Sequence, residues 1–136
     1  MIGIKNMNKF LSLVIAAALM VSTTSAFGHA KMKSNVPEIG AEVEGPVGKL
    51  ELNFSKSVRL MNVKLLAAES ASEVEKNSNI PEDALVPLTS EFSKKFSKSK
   101  TVTFEPLAAG LWAYQWKAVA KDGHAMTGVG HFVIVE

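Results

Sequence analysis

The residues of this chain best suited to binding a metal ion or moving a proton near neutral pH are its three histidines, His29, His124 and His131. Asp122, Gly123 and His124 lie between two apolar runs, which predicts an exposed turn holding a carboxylate and an imidazole together. Because Asp-Gly-X is also an ordinary turn sequence, the tripeptide alone indicates a turn more strongly than a metal site. Cysteine is absent, so thiolate ligands and disulfides are excluded.

Common catalytic and nucleotide-binding motifs are missing from the sequence. A Ser-His-Asp hydrolase is not excluded by residue count, but no G-x-S-x-G spacing occurs. Neither a P-loop nor G-x-G-x-x-G is present, and Gly128-Val129-Gly130 leads into a predicted strand rather than a helix. The sequence therefore favours a binding protein over these classes of enzyme.

The first 28 residues have the order of a secretory signal. Lys5 and Lys9 precede the apolar run Phe10–Val21, and small residues lie before a cleavage point after Gly28. The run is shorter than the ~20 residues that span a membrane. We expect a cleaved signal helix over residues 1–28 and one exported domain over 29–136, with cleavage after Ala26 as the alternative.

Removal of Lys5 and Lys9 leaves 13 basic and 13 acidic residues. The excess of positive charge therefore belongs to the signal, and no nucleic-acid-binding surface is predicted. The run Lys94–Lys100 is locally basic, which a solvated strand edge explains more simply.

Cleavage after Gly28 would make His29 the first residue of the exported protein. Its α-amine and imidazole can then chelate one metal ion. Asp122 and His124 would complete a set of three nitrogens and one oxygen, which suits the tetragonal preference of Cu(II). Zinc is the competitor, but it prefers tetrahedral sites. We therefore predict one Cu(II) per chain, and the alternative for His29 is a frayed, solvated terminus.

Short strands separated by Pro and Gly must position these groups. Alternation and apolar runs predict five of them: Lys49–Phe54, Val58–Ala67, Thr101–Phe104, Leu111–Ala120 and His131–Val135. A phase shift in the second run predicts a bulge near Met61-Asn62. All five prolines are expected between strands. Ala68–Asp83 is the predicted long loop, with a short helix possible within Ser70–Lys76.

The run Leu111–Ala120 places Trp112, Tyr114, Trp116 and Ala118 on one face, which we expect to form much of the core. Strands of this length and spacing predict an antiparallel β-sandwich.

Several segments, in this order, resemble the CopC family of periplasmic copper-binding proteins. They are His29–Pro37, Gly40, Pro46, Leu50–Ser55, Pro106–Trp112, Trp116–His124, Thr127, Gly128 and Phe132. The resemblance implies an all-β, immunoglobulin-like Greek-key sandwich of about seven strands. It also implies that the Cu(II) ligands are His29 (amine and ring), Asp122 and His124.

The sequence departs from the family pattern in two places. Lys56 follows the Phe-Ser of the early strand, where the family often has an acid near the copper, so an extra carboxylate contact is not expected. The region 67–87 contains neither Met nor His, so no separate Cu(I) site is predicted. Met32 and Met126 could lie close to the Cu(II) loop, but methionine at such places more often fills gaps in the packing. His131, facing opposite to Phe132, is expected to be structural or solvated.

The resemblance implies a periplasmic protein that sequesters copper, confers resistance, or delivers Cu(II) to an inner-membrane transporter of the CopD type without catalysis. Two alternatives stay open. One is a copper oxidase or oxygenase with a histidine-brace site, although Asp122 would occupy a position that oxygen activation needs open. The other is a metal-free immunoglobulin-like interaction domain.

Overall fold

The computed structural model describes residues 30–70 and 80–136, and in these ranges the protein is a set of β-strands. The strands are β1 (Met32–Val36), β2 (Glu42–Glu44), β3 (Val47–Ala67), β4 (Ser97–Leu107), β5 (Gly110–Ala120) and β6 (Ala125–Val135). One 3-10 turn, Glu82–Ala84, is the helical element of this part of the chain, and no helix there is long and apolar enough to cross a membrane. The all-β prediction is confirmed. The predicted signal helix and most of the possible helix in Ser70–Lys76 lie outside the described residues.

The longest element, β3, replaces two predicted strands. Its first half pairs with β1 and β4, and its second half pairs with β5. Val58 is the changeover residue, because it pairs with both Ser97 and Ala120. The two predicted strands, Lys49–Phe54 and Val58–Ala67, are therefore continuous, since the backbone stays extended between them through a register shift. The two halves of β3 thus pair with different strands, and the six strands of the described residues form the sandwich.

A bulge in β3 matches the predicted phase shift. Leu60 pairs with Ala118 and Asn62 with Lys117, so Met61 is an extra residue opposite no partner. Its side chain is 45% exposed. The bulge explains why the apolar alternation changes face there, and this prediction is confirmed.

The final strand, β6, begins at Ala125 rather than at the predicted His131. Gly128 and Gly130 lie inside it, opposite Trp116 and Tyr114 of β5. A Cβ atom at either glycine would collide with the facing aromatic ring. Glycine is therefore required where the rings of Trp116 and Tyr114 lie against the β6 backbone. The two glycines indicate this close packing and not the beginning of the strand.

Aromatic rings fill the space between the two layers. Phe54 and Trp116 meet edge to face with ring centroids 5.2 Å apart. Tyr114 is fully buried, and its hydroxyl accepts a hydrogen bond from the Asn35 side-chain amide of β1. Burial raises the pKa of Tyr114. The predicted aromatic face is confirmed, with Trp112 half-buried at its end.

Two short edge strands, β1 and β2, were not predicted from the sequence. β1 pairs antiparallel with β3, and β2 pairs parallel with β6. β2 has only three residues, and β1 (MKSNV) is mostly polar without an alternating apolar pattern. The prolines follow the prediction except Pro106, which is the next-to-last residue of β4, where a missing N–H donor costs little.

Candidate metal centre

The loop that joins β5 to β6 carries the predicted Asp-Gly-His turn. Its ends are tied together, because the N–H of Ala120 donates to the carbonyl of His124 at 3.0 Å. The N–H of Gly123 donates back to the carbonyl of Ala120, also at 3.0 Å. Gly123 has φ of +87°, a left-handed conformation that glycine adopts without steric cost. The hairpin thus holds the residues on either side of Gly123 at a fixed tip.

Asp122 and His124 are in direct contact at that tip. One carboxylate oxygen, Oδ1, accepts the backbone N–H of His124 at 3.0 Å, and Oδ2 lies 3.1 Å from the ring nitrogen Nδ1. The side chains are 50% and 70% exposed, respectively. A neutral imidazole that donates from Nδ1 to the carboxylate carries its lone pair on Nε2. The two side chains are therefore oriented by one another at a loop tip where both are at least half exposed.

The beginning of the described chain lies beside this loop. Ala30 is only 7% exposed, and the next residue is fixed to β3 by two hydrogen bonds. The N–H of Lys31 donates to Ser55 Oγ at 2.9 Å, and the N–H of Ser55 donates to the carbonyl of Lys31 at 2.7 Å. Ala30, Ser55 and Asp122 line one surface pocket of about 390 Å³.

Of the three predicted ligands, the structure brings Asp122 and His124 together, and His29 lies outside the described residues. Within residues 30–70 and 80–136, no group of three or more His, Asp or Glu side chains is placed to hold a metal ion. A metal site built on the Asp122–His124 pair would therefore need further donors from outside the described residues. The residue that directly follows His29 faces the same pocket as Asp122.

The third histidine lies far along β6 from this loop. His131 pairs with Ala113 and comes seven residues after His124, which in a strand corresponds to roughly 23 Å. Its side chain is half-buried on the face opposite to Phe132, next to Gly40. The expectation of a structural or solvated role agrees with this position.

The two methionines considered near the loop pack against the hydrophobic core. Met32 pairs with Phe54 and Met126 pairs with Ala118, and both side chains are partly buried against core residues. This agrees with the packing role expected from the sequence.

A group of lysines around the pocket was not predicted from the sequence. The lysine set consists of Lys56, Lys98 and Lys121, all exposed, and each lines the pocket that Asp122 also lines. Lys98 belongs to the basic run that was interpreted as a solvated edge. Within that run Lys100 is instead 8% exposed, and its Nζ donates to the carbonyl of Lys95 at 2.6 Å. Burial lowers the pKa of Lys100. The lysine set is assembled from three separate segments, so no local sequence signal announces it.

Comparison with known proteins gives consistent matches. A family model described as the CopC domain matches residues 32–135. Copper resistance protein C of Escherichia coli is 31% identical over 114 residues, which cover 81% of this chain and 84% of that protein. Copper resistance protein C of Pseudomonas syringae pv. tomato is 31% identical over 126 residues, covering 90% and 92%.

Solved structures agree with the sequence matches. The crystal structure of PcoC, a methionine-rich copper resistance protein from Escherichia coli, has a TM-score of 0.57 and 28% identity, covering 79% of this chain and 100% of that one. CopC from Methylosinus trichosporium OB3b has a TM-score of 0.57 and 16% identity, covering 78% and 93%. The second likeness shows a shared fold.

Proposed function

Because this chain belongs to the CopC family of copper resistance proteins, we propose that it binds one Cu(II) ion through His29 (α-amine and ring), Asp122 and His124. The family is one of copper-binding proteins rather than enzymes, so the ion is cargo and undergoes no catalysed reaction. The copper-oxygenase alternative gains no support from these relatives.

The observation that supports the proposed site is the position of Ala30. It is buried beside Asp122 in one pocket, and consecutive Cα atoms are about 3.8 Å apart. We therefore expect a residue joined directly to Ala30 to come within side-chain reach of the β5–β6 loop. The hydrogen bonds between Lys31 and Ser55 fix the approach of the chain to this point.

The donor chemistry favours Cu(II) over other divalent ions. An amine, two imidazoles and a carboxylate supply three nitrogens and one oxygen, and Cu(II) leads the divalent affinity order with such donors. The carboxylate of Asp122 also neutralises one of the two positive charges of the ion. Its contact with Nδ1 orients the imidazole of His124, as carboxylates commonly do for metal-binding histidines.

We also propose that residues 1–28 are removed on export and that residues 29–136 act in the periplasm. The proposed ligands Asp122 and His124 lie at an exposed loop tip, so a bound ion would be accessible to a second protein. This accessibility suits sequestration followed by transfer, for which an inner-membrane copper transporter of the CopD type is the proposed receiver.

The experiment starts from the protein recovered after export. Mass spectrometry should give a mass that begins at His29, and calorimetry should show one tightly bound Cu(II) per chain. The matched control retains Phe27-Gly28 in front of His29, which keeps the imidazole but moves the α-amine away. It should bind Cu(II) at least about tenfold more weakly, because the chelate with the amine is lost. Equal affinity of the two proteins would refute the amine ligand.

A further inference from the structure

The pocket beside the proposed copper site carries an excess of positive charge. The lysine set supplies three ammonium groups and Asp122 supplies one carboxylate, so the lining has a formal charge of +2. Asp122 is the one carboxylate among the described residues that line this pocket, so the lysine set keeps an excess of positive charge there.

We propose that this pocket binds a small oxyanion with two or more negative charges, of the dicarboxylate or phosphate class. Ammonium groups are strong donors to such oxyanions. Ser55 and Ser57 add hydroxyl groups, and the Ser55 hydroxyl can donate because its oxygen already accepts from Lys31. The volume of about 390 Å³ lies in the range of small-molecule sites.

The pocket also has a feature that distinguishes it from a merely basic surface. Ala30 and Ala120 line it with buried methyl groups, so its walls combine an apolar floor with a charged rim. A bound anion would be partly shielded from water there, which strengthens its attraction to the ammonium groups relative to a flat exposed patch.

Anion and copper binding should reinforce each other, and this part of the inference rests on the proposed function. Without copper, the carboxylate of Asp122 repels an anion in the pocket that it lines. Coordination to Cu(II) reverses the sign of that local charge. By linkage, the factor by which copper strengthens anion binding equals the factor by which the anion strengthens copper binding.

The first test uses the exported protein without copper. NMR titration with succinate, and separately with inorganic phosphate, should give saturable shifts of the backbone amides of Ser55–Ser57 and Lys121–Asp122. Sodium chloride at equal ionic strength is the salt control. Shifts that do not saturate, or that chloride reproduces, would overturn the proposal. Binding of both probes identifies the shared charge as the determinant, whereas binding of one assigns the site to that oxyanion class.

Charge variants make this test specific. Lys98→Ala should weaken succinate binding about fivefold, the effect of removing one partly screened charge. Lys64→Ala removes the same charge from β3 at a place outside the pocket, and it should bind as the parent does. Equal affinities of the two variants would show that overall charge, not the pocket, attracts the anion.

The second test measures the coupling. Calorimetric Cu(II) titrations are compared in sodium sulfate and in sodium chloride at equal ionic strength, because sulfate is a dianion that chelates copper only weakly. Sulfate should raise the Cu(II) affinity several-fold in the parent and not in Lys98→Ala. Equal affinity in both salts would overturn the coupling. Failure to bind copper at all would refute the proposed function, yet it would leave the copper-free anion titration as an independent result.

Discussion

The carboxylate of Asp122 contacts His124 twice, through the backbone N–H at 3.0 Å and through the ring nitrogen Nδ1 at 3.1 Å. One side chain thus fixes both the backbone and the ring orientation of its neighbour two residues along the loop. This arrangement separates two contributions of Asp122, its charge and its hydrogen bonding, and substitutions at the loop can measure each.

Replacement of the loop imidazole should remove tight copper binding. We expect His124→Ala to weaken Cu(II) binding by more than about 100-fold, because loss of groups that merely orient a ligand already costs 10- to 100-fold. His131→Ala is the matched control, since its ring lies along β6 away from the loop, and it should retain the parent affinity. Calorimetry in a weakly chelating buffer measures both. Parent-like affinity of His124→Ala would place the ion elsewhere.

Replacement of Asp122 should distinguish charge from turn geometry. Asp122→Asn keeps an oxygen that can accept the N–H of His124 but loses the negative charge, so we expect about tenfold weaker Cu(II) binding with the loop intact. Asp122→Ala also loses the acceptor and should show larger amide shifts at Gly123 and His124. If the two variants bind copper as tightly as the parent, Asp122 is no ligand.

A charge reversal at Lys56 should strengthen copper binding. Lys56 lines the same pocket as Asp122, so a carboxylate there replaces repulsion of the cation by attraction. We expect Lys56→Glu to bind Cu(II) about tenfold more tightly at low ionic strength, and to bind succinate more weakly. Lys64→Glu makes the same change of net charge outside the pocket and serves as the control in the same titrations. A gain of equal size in both variants would assign the effect to net charge.

A methyl group at Gly130 should destabilise the sandwich. The Cβ atom would overlap the Tyr114 ring on β5, so the ring or the strand must move. Overpacking of this kind costs about 1–3 kcal/mol, and we expect Gly130→Ala to lower the free energy of unfolding by about that amount. Thr127→Ala, an exposed position on the same strand, should change it by less than about 0.5 kcal/mol. Urea denaturation provides the measurement, and similar stabilities would contradict the close approach.

Stability at alkaline pH should depend on Tyr114. Burial raises the pKa of its phenol above the ordinary value of 10.0, so the folded state holds the proton more tightly than the unfolded state. The resulting contribution is fully present below pH 10 and is lost as the pH rises through the raised folded pKa.

Tyr114→Phe isolates this effect. Near pH 7 the variant should be less stable by about 1 kcal/mol, because the Asn35 amide loses its acceptor. Above pH 10 the difference should narrow, since only the parent loses stability through this phenol. Thermal unfolding of both proteins between pH 7 and 11 checks the trend, and a constant difference would refute it.

The sequence predicted those features that depend on local pattern. The alternation of Leu50, Leu52 and Phe54 reflects one buried face of the strand, and the phase shift at Met61 reflects a bulge. Both features could therefore be predicted from the sequence. The Asp122–His124 contact followed from turn chemistry around Gly123. Each of these depends on residues within a few positions of one another.

Features set by distant residues escaped prediction. Gly128 and Gly130 were placed before the predicted start of the last strand. The aromatic rings that require glycine at these positions belong to another strand, so the sequence around the glycines does not show the reason for them. The lysine set was missed for a related reason, since Lys56, Lys98 and Lys121 converge only when β3, β4 and the end of β5 are packed. Pairing between distant strands carries no periodic signal in either partner.

If residues 1–28 are removed as proposed, the position of β1 has a consequence for the mature protein. It is the outer strand of its layer, at the start of the described chain, where local opening is least costly. An ion held jointly by His29 and the β5–β6 hairpin would act as a removable cross-link closing a loop of about 95 residues. Copper binding would then reduce local opening of β1 and slow amide exchange across Met32–Val36. A receiving protein could therefore distinguish the copper-bound protein from the copper-free one by the local stability of β1.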